Sequence, residues 1–170
     1  MVVKLKIGKN VFIAHNATLI GDITIGDNVA IMYGAVLRGD QNYIKVGDGS
    51  NIQDNVVIHC DGDNPTEIGK NVSVGHLAIV HGARIGDNVI IGMGSIVMSG
   101  AEVEEGSVIG GGAVVTEKMK IPKKCIAVGV PAKVIRCGDD VEEYAIRNAL
   151  IYQRLRYLHA SGEFERYITD

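Results

Sequence analysis

Residues 85–121 read IGDNVI IGMGSI VMSGAE VEEGSV IGGGAV VTEKMK I, with Ile or Val at 85, 91, 97, 103, 109, 115 and 121, six residues apart without a break. Working outward, the same period runs through Ile7, Ile13, Leu19, Ile25, Ile31 and Leu37, through Val46, Ile52 and Ile58, and through Ile68, Val74 and Val80. All nineteen positions are Ile, Leu or Val, types that fill 50 of 170 places, so chance agreement is on the order of 10⁻¹⁰. A period of six is neither the 3.6 of a helix nor simple strand alternation, but it suits a short strand followed by a bend. The next residue is Gly in eight repeats (8, 26, 47, 69, 75, 86, 92 and 110), so each repeat is expected to end in a corner. Three units close a triangle, and coils of about eighteen residues stack at the ~4.8 Å interstrand spacing with one aliphatic side chain per unit inward. The expected fold is an all-β parallel helix, a triangular prism over residues 1–138, with a C-terminal helix and tail over residues 139–170 packed on it.

Three places break the register: a three-residue surplus between Leu37 and Val46, a four-residue surplus between Ile58 and Ile68, and a one-residue deficit between Val80 and Ile85. The two surpluses are read as loops leaving the prism. After Pro131 the period stops, and Asp139 to about His159 reads as a helix. Asp139 stands as N-cap, Glu142 and Glu143 in the first turn, and Val141, Ala145, Ala149, Tyr152 and Leu155 along one apolar stripe. That stripe needs a flat prism face, in its own chain or a neighbour's. Gly162 and the charged residues after it suggest a frayed end.

Composition narrows the function classes. Charged residues are 22% and the formal net charge is −3, which does not mark a polyanion binder, so nucleic acid is not expected as a partner. The first six residues, MVVKLK, lack an apolar signal core, and no apolar run approaches the ~18 residues of a membrane span, so no membrane association is expected. Three cysteines, at 60, 125 and 137, are odd in number and widely spaced, which reads as reduced thiols and a cytoplasmic setting. The run Gly110 to Gly112 has no strand-to-helix unit around it and reads as corner glycines rather than a phosphate loop.

Of five histidines, three share a pattern. His59 and His81 each follow a repeat aliphatic, in a slot that is often Gly. They are 22 residues apart, and subtracting the four-residue surplus leaves one coil, so their rings stack on successive rungs. Two imidazoles so placed can share a metal ion at ~2.0–2.1 Å. His76, five residues before His81, falls most of a prism side away, too far for the same ion within one chain. A three-fold assembly would bring it to the His59/His81 pair of the next subunit. Three imidazoles and one open position form a catalytic zinc arrangement that lowers the pKa of bound water to ~7. His15 and His159 have no such partners and are expected on the surface. Cys60, beside His59, is expected to point inward as a small filler.

Residues 10 to 135 resemble the gamma-class carbonic anhydrases through AVLRGD (Ala35 to Asp40), NIQDNVVIH (Asn51 to His59) and VGHLAIVHGARIGDNVIIGMGS (Val74 to Ser95). The resemblance implies a left-handed β-helix, a homotrimer, and zinc at the subunit interfaces, with iron or cobalt also suited to three imidazoles. It implies His59 and His81 as ligands from one subunit and His76 from its neighbour, and Arg38 and Asp40 as an interface ion pair. Gln53 would hydrogen-bond the metal-bound water or CO2, supported by Asn51 and Asp54, and Tyr152 would line the pocket. The implied activity is interconversion of CO2 and bicarbonate. One departure stands out: the glutamates that move protons out of the site in active members are absent, Gln41 standing at one position and the loop after His59 having no Glu before Glu67. Asp61 or Asp63 could substitute. Two other readings stay open. One is a hexapeptide-repeat acyltransferase, for which Gly129 to Lys133 resembles a CoA-binding end. The other is a metal-binding trimer with little hydratase activity.

Overall fold

The structure is a computed structural model that describes residues 5–167. The ends of the chain discussed above, residues 1–4 and 168–170, lie outside the described residues. The chain winds as a left-handed parallel β-helix with triangular coils, followed by a single helix, α1, over Asp139–Ala160.

Rungs from successive coils pair in parallel and in register on three faces. The first face stacks Phe12–Ile13, Ala30–Ile31, Asn51–Ile52, Ser73–Val74, Ile90–Ile91, Val108–Ile109 and Cys125–Val128, closed by the antiparallel strand Lys133–Cys137. The second carries Val57–His59, Ile79–His81, Ile96–Val97 and Val114–Val115. The third carries Thr66–Ile68, Arg84–Ile85, Glu102–Val103 and Lys120–Ile121. Two long strands, Thr18–Ile25 and Val36–Val46, run round a corner without interruption and join the second and third faces into one 11-stranded sheet.

Three expectations are corrected. The surplus between Leu37 and Val46 is not a loop: Asp40, Gln41 and Asn42 stay extended within their strand, as a bulge where Gly39 pairs Gly21 and Tyr43 pairs Asp22. The second surplus, Cys60 to Pro65, does leave the ladder. The tight turn does not fall at the glycine after each aliphatic but two residues later, where Asn28, Asn71, Asn88 and Gly106 adopt positive φ. Asn and Gly tolerate that left-handed region best. The glycine after the aliphatic answers close approach instead: a Cβ on Gly47 would lie 2.6 Å from the Gly69 carbonyl carbon and oxygen of the next coil. Finally, each unit has two inward positions rather than one. The second, four residues after the first, holds Val29, Ala35, Val56, Val72, Ala78, Val89, Ala101 and Ala113, all buried.

The core therefore runs the length of the prism in layers of Ile, Leu and Val alternating with small residues. Two of the three first-coil aliphatics do not join it: Ile7 and Ile13 are 44% and 38% exposed, because they sit at the open end with one neighbouring coil rather than two, whereas Leu19 packs against the core. Ile109, wholly buried between Ile91 and Ala127, gives the contrast. Ile109→Ala is expected to lower unfolding free energy by about 2–5 kcal/mol through lost burial and the cavity left behind. Ile7→Ala should cost at most about 0.5 kcal/mol. Denaturant unfolding followed by circular dichroism checks both.

Helix α1 lies on the first face of its own chain, burying Val141, Ala145 and Ala149. The alanines let it approach closely, and its polar side chains bond to the corner asparagines: Asn88 donates to Glu142 (3.1 Å), and Gln153 donates to Asn71 (3.2 Å). Its N-cap is Gly138 rather than Asp139, which is the first helical residue; no side chain caps the helix, and the first turn is favoured by the charges of Asp139, Asp140 and Glu142. His159 is not on the surface as expected. It is half-buried among Phe12, Tyr33 and Phe164, with the Tyr33 hydroxyl 3.0 Å from Nδ1, and burial holds its pKa below the usual value. His15 is exposed.

The cysteine reading is also corrected. Cys125 and Cys137 form a disulfide, because the antiparallel return of Lys133–Cys137 sets the two opposite each other with Cα atoms 4.0 Å apart. The argument from reduced thiols to a cytoplasmic setting thereby loses two of its three residues. Cys60 is free and buried in the core, as an inward filler.

Candidate metal centre

His59 and His81 end the strands Val57–His59 and Ile79–His81 and pair directly across them. Their ring centroids lie 5.0 Å apart with the planes inclined by 62°, edge to face rather than stacked, and His59 Nδ1 lies 3.1 Å from His81 Nε2. Around this pair the remaining ring nitrogens are all taken. His59 Nε2 lies 3.0 Å from Asp40 Oδ1, and Asp40 Oδ2 accepts from Arg38 at 2.5 Å. His59 and Arg38 together hold the Asp40 carboxyl down at about 2. His81 Nδ1 lies 3.0 Å from Ser99 Oγ, which in turn donates to Asp61 Oδ2 at 2.6 Å.

These outer bonds determine where the protons are. An ionised carboxylate only accepts, so His59 carries its hydrogen on Nε2 and a lone pair on Nδ1. The Ser99 hydroxyl spends its hydrogen on Asp61, so it accepts from His81 Nδ1–H and leaves a lone pair on His81 Nε2. Two lone pairs thus face each other at 3.1 Å, an arrangement that calls for a cation between them. Two imidazole nitrogens on one tetrahedral ion at ~2.05 Å stand about 3.3 Å apart. The donor set fits a divalent metal with a carboxylate or hydroxyl behind each imidazole, the usual second layer of such sites.

His76 is not part of this cluster. Among the described residues no group of three or more His, Cys, Asp or Glu side chains converges as a metal cage. His76 follows the first-face strand Ser73–Val74, whereas His81 ends a second-face strand, so the two histidines flank opposite edges of the second face. Asp54 Oδ2 lies 2.8 Å from His76 Nδ1, which fixes that proton and leaves Nε2 as a lone pair, 3.4 Å from the Tyr152 hydroxyl. All three histidines therefore keep one nitrogen bare and the other tied, directly or through Ser99, to a carboxylate. The bonds of His15 and His159 are to Arg166 and Tyr33 instead.

The other expected site residues gather around His76. Gln53, 5% exposed, accepts from the His76 backbone N–H (3.2 Å) and donates to Asn51 Oδ1 (3.0 Å), leaving one amide hydrogen uncommitted. Asn51 donates onward to Ser73 Oγ at 2.9 Å. Gln53, His76, Met93, Tyr144, Asn148 and Tyr152 line a groove of about 380 Å³ between the first face and α1. Burial raises the Tyr152 phenol pKa. The chain thus holds two separate clusters: Arg38, Asp40, His59 and His81 at one corner, and Asn51, Gln53, Asp54, His76 and Tyr152 at another. Between them the second face presents the outward ladder Val36, Val57, Ile79, Ile96 and Val114 on successive rungs, with Val57 and Ile79 exposed.

Asp61 is not free to shuttle protons. Its Oδ1 accepts from the backbone N–H groups of Asp63 and Asn64 and from Asn64 Nδ2, its Oδ2 accepts from Ser99, and these bonds hold its pKa at about 2. A relay group needs a pKa near the working pH. Glu67 is committed elsewhere, to the Tyr43 hydroxyl, Lys45 and Arg84. Ser99 was legible by the same counting that found the histidine pair, since it follows His81 by 18 residues, one coil.

A bacterial transferase hexapeptide model (six repeats) matches residues 4–39, 65–97 and 82–117. The chain is 44% identical to a probable carbonic anhydrase of Methanocaldococcus jannaschii, over 95% of this chain and 99% of that one. It is 41% identical to gamma carbonic anhydrase 2, mitochondrial, of Arabidopsis thaliana, over 91% of this chain but only 58% of that protein's length. Among solved structures, a putative acetyltransferase from Bacillus cereus superposes with a TM-score of 0.91 at 36% identity, covering 94% of this chain and 93% of that one.

Proposed function

The chain belongs to the hexapeptide-repeat family, in its gamma-class carbonic anhydrase branch, and on that footing we propose that it interconverts CO2 and bicarbonate at a zinc site completed between subunits of a homotrimer. The observation that carries this reading is the facing pair of lone pairs on His59 Nδ1 and His81 Nε2. His59 and His81 of one subunit and His76 of the next would hold the ion, and iron or cobalt would suit the same donors. Covering the apolar ladder of the second face with a neighbour gives the trimer its driving force, since that face carries no helix. Arg38 and Asp40 lie at the edge of this interface, Asp40 also fixing the His59 tautomer.

A divalent cation on three imidazoles supplies Lewis acidity, bringing the pKa of a coordinated water to about 7. The chain's own residues supply orientation. Asp40, Asp54 and Ser99 hold the three rings. Gln53, its carbonyl tied to His76, directs its remaining amide hydrogen at a substrate oxygen, and Asn51 keeps that amide from rotating. The Tyr152 hydroxyl borders the same space, and Met93 and Tyr144 form an apolar wall suited to a nonpolar gas. The test is metal content and CO2 hydration on the same sample, before and after chelation. Stoichiometric zinc, with hydration lost on chelation and restored by zinc, supports the reading; a zinc-loaded trimer without hydration rejects the activity.

Without relay glutamates the proton must leave through the buffer. Raising imidazole buffer concentration is expected to increase kcat several-fold while kcat/KM stays fixed, as stopped-flow hydration assays would read.

A second reading, acyl transfer, is favoured by the similarity to the Bacillus cereus putative acetyltransferase. Acetyl-CoA turnover that survives chelation and His59→Ala would establish it.

A further inference from the structure

We propose that Asp61, acting through Ser99, is a positioning residue that sets the tautomer of His81 and so its capacity to take a metal ion. The proposal rests on the reading of His59 and His81 as ligands.

The loop Cys60 to Pro65 leaves the ladder and folds back on itself around Asp61. Its Oδ1 is committed to three donors of the loop, the N–H groups of Asp63 and Asn64 and Asn64 Nδ2, at 2.9–3.0 Å. That leaves Oδ2 as the oxygen presented to Ser99, at 2.6 Å. Because a carboxylate cannot donate, the serine hydrogen points toward Asp61 and its lone pair toward His81 Nδ1. Ser99 therefore acts as a one-way relay: the charge on Asp61 dictates that His81 is protonated on Nδ1, and Nε2 is bare where it faces His59.

Asp61→Asn tests this, because the geometry dictates which way the new amide points. The three loop donors select the amide oxygen at the Oδ1 position, so the NH2 group faces Ser99. The hydroxyl then accepts from Asn and donates its own hydrogen to His81 Nδ1, moving the imidazole proton to Nε2, into the metal position. Zinc affinity, measured by competition with a chromophoric chelator on the full-length protein, is expected to fall about 10- to 100-fold in Asp61→Asn. Ser99→Ala releases His81 without forcing the wrong tautomer, so its loss should be smaller, less than about 10-fold. In the Ser99→Ala background, Asp61→Asn should have a much smaller effect than it has alone, because the relay is cut and the direct approach of Asp61 Oδ2 to His81 Nδ1, at 4.0 Å, is beyond hydrogen-bond reach. Nitrogen-15 NMR of the apo protein at alkaline pH should show the His81 proton on Nδ1 in the parent and on Nε2 in Asp61→Asn.

A merely structural role for Asp61 would give additive losses in the double variant and an unchanged tautomer, and either result overturns the proposal. Unaltered zinc affinity in a folded Asp61→Asn protein overturns it too. A parent protein that takes up no zinc would reject the ligand reading itself, a separate outcome.

Discussion

On the proposed reading, replacing either His59 or His81 by alanine is expected to lower zinc content from about one per subunit to background, with CO2 hydration lost alongside it. Structural zinc sites with four protein donors are held by roughly 10–16 kcal/mol, so each donor accounts for about 2.5–4 kcal/mol, roughly 70- to 900-fold in affinity. Neither imidazole belongs to the aliphatic core, and Ile58 and Val80, which carry the burial on those rungs, remain in place. Far-UV circular dichroism and subunit assembly should therefore stay unchanged. His15→Ala is the control: His15 is exposed, with Arg166 rather than a carboxylate beside it, and its removal should leave zinc content at the parent value. Atomic absorption on dialysed protein reads all three variants.

The coil and the histidine pair were legible in the sequence because both depend only on counting. Nineteen aliphatic positions define the rungs, and the 22-residue separation of His59 and His81 reduces to one coil once the loop is removed. The structure pairs them as that arithmetic requires. What counting cannot supply is the chemistry of insertions. Asp40 reaches His59 because residues 40–42 stay extended as a bulge, whereas a surplus of three residues reads equally well as a loop. Asp61 reaches Ser99 from a segment without any period. The second inward position leaves little trace in the sequence because Ala, Val and, at Ser50, Ser95 and Ser107, Ser occupy it in turn, and small residues make a weak pattern beside Ile and Leu. Cys125 and Cys137 meet because the chain reverses after Pro131, where the period that would give their register has ended. The end of the prism misled in the opposite sense: Ile7 and Ile13 keep the pattern although no second coil covers them.

The largest remaining effect concerns His76, whose distance from the other two histidines follows from its place on the far edge of the second face. Among the described residues of one chain it joins no metal cage; in the proposed trimer it would complete the donor set of a neighbour. His76→Ala and His81→Ala should therefore each be inactive alone, for different reasons: the first keeps an intact pair and lacks the third donor, the second offers the third donor and lacks the pair. Mixed in one trimer, a His76→Ala subunit can present its intact His59/His81 pair to His76 of a His81→Ala neighbour. With random assembly from equal amounts, about one interface in four is intact, since each of the two contributions is whole in half the subunits. The measurement is zinc content and CO2 hydration of trimers purified after co-expression of the two variants, beside trimers of each variant alone. A site shared between subunits gives recovery to about a quarter of the unmutated protein's values, from two variants that are each near zero alone. Mixed trimers that hold no more zinc and hydrate CO2 no faster than either variant alone would contradict it.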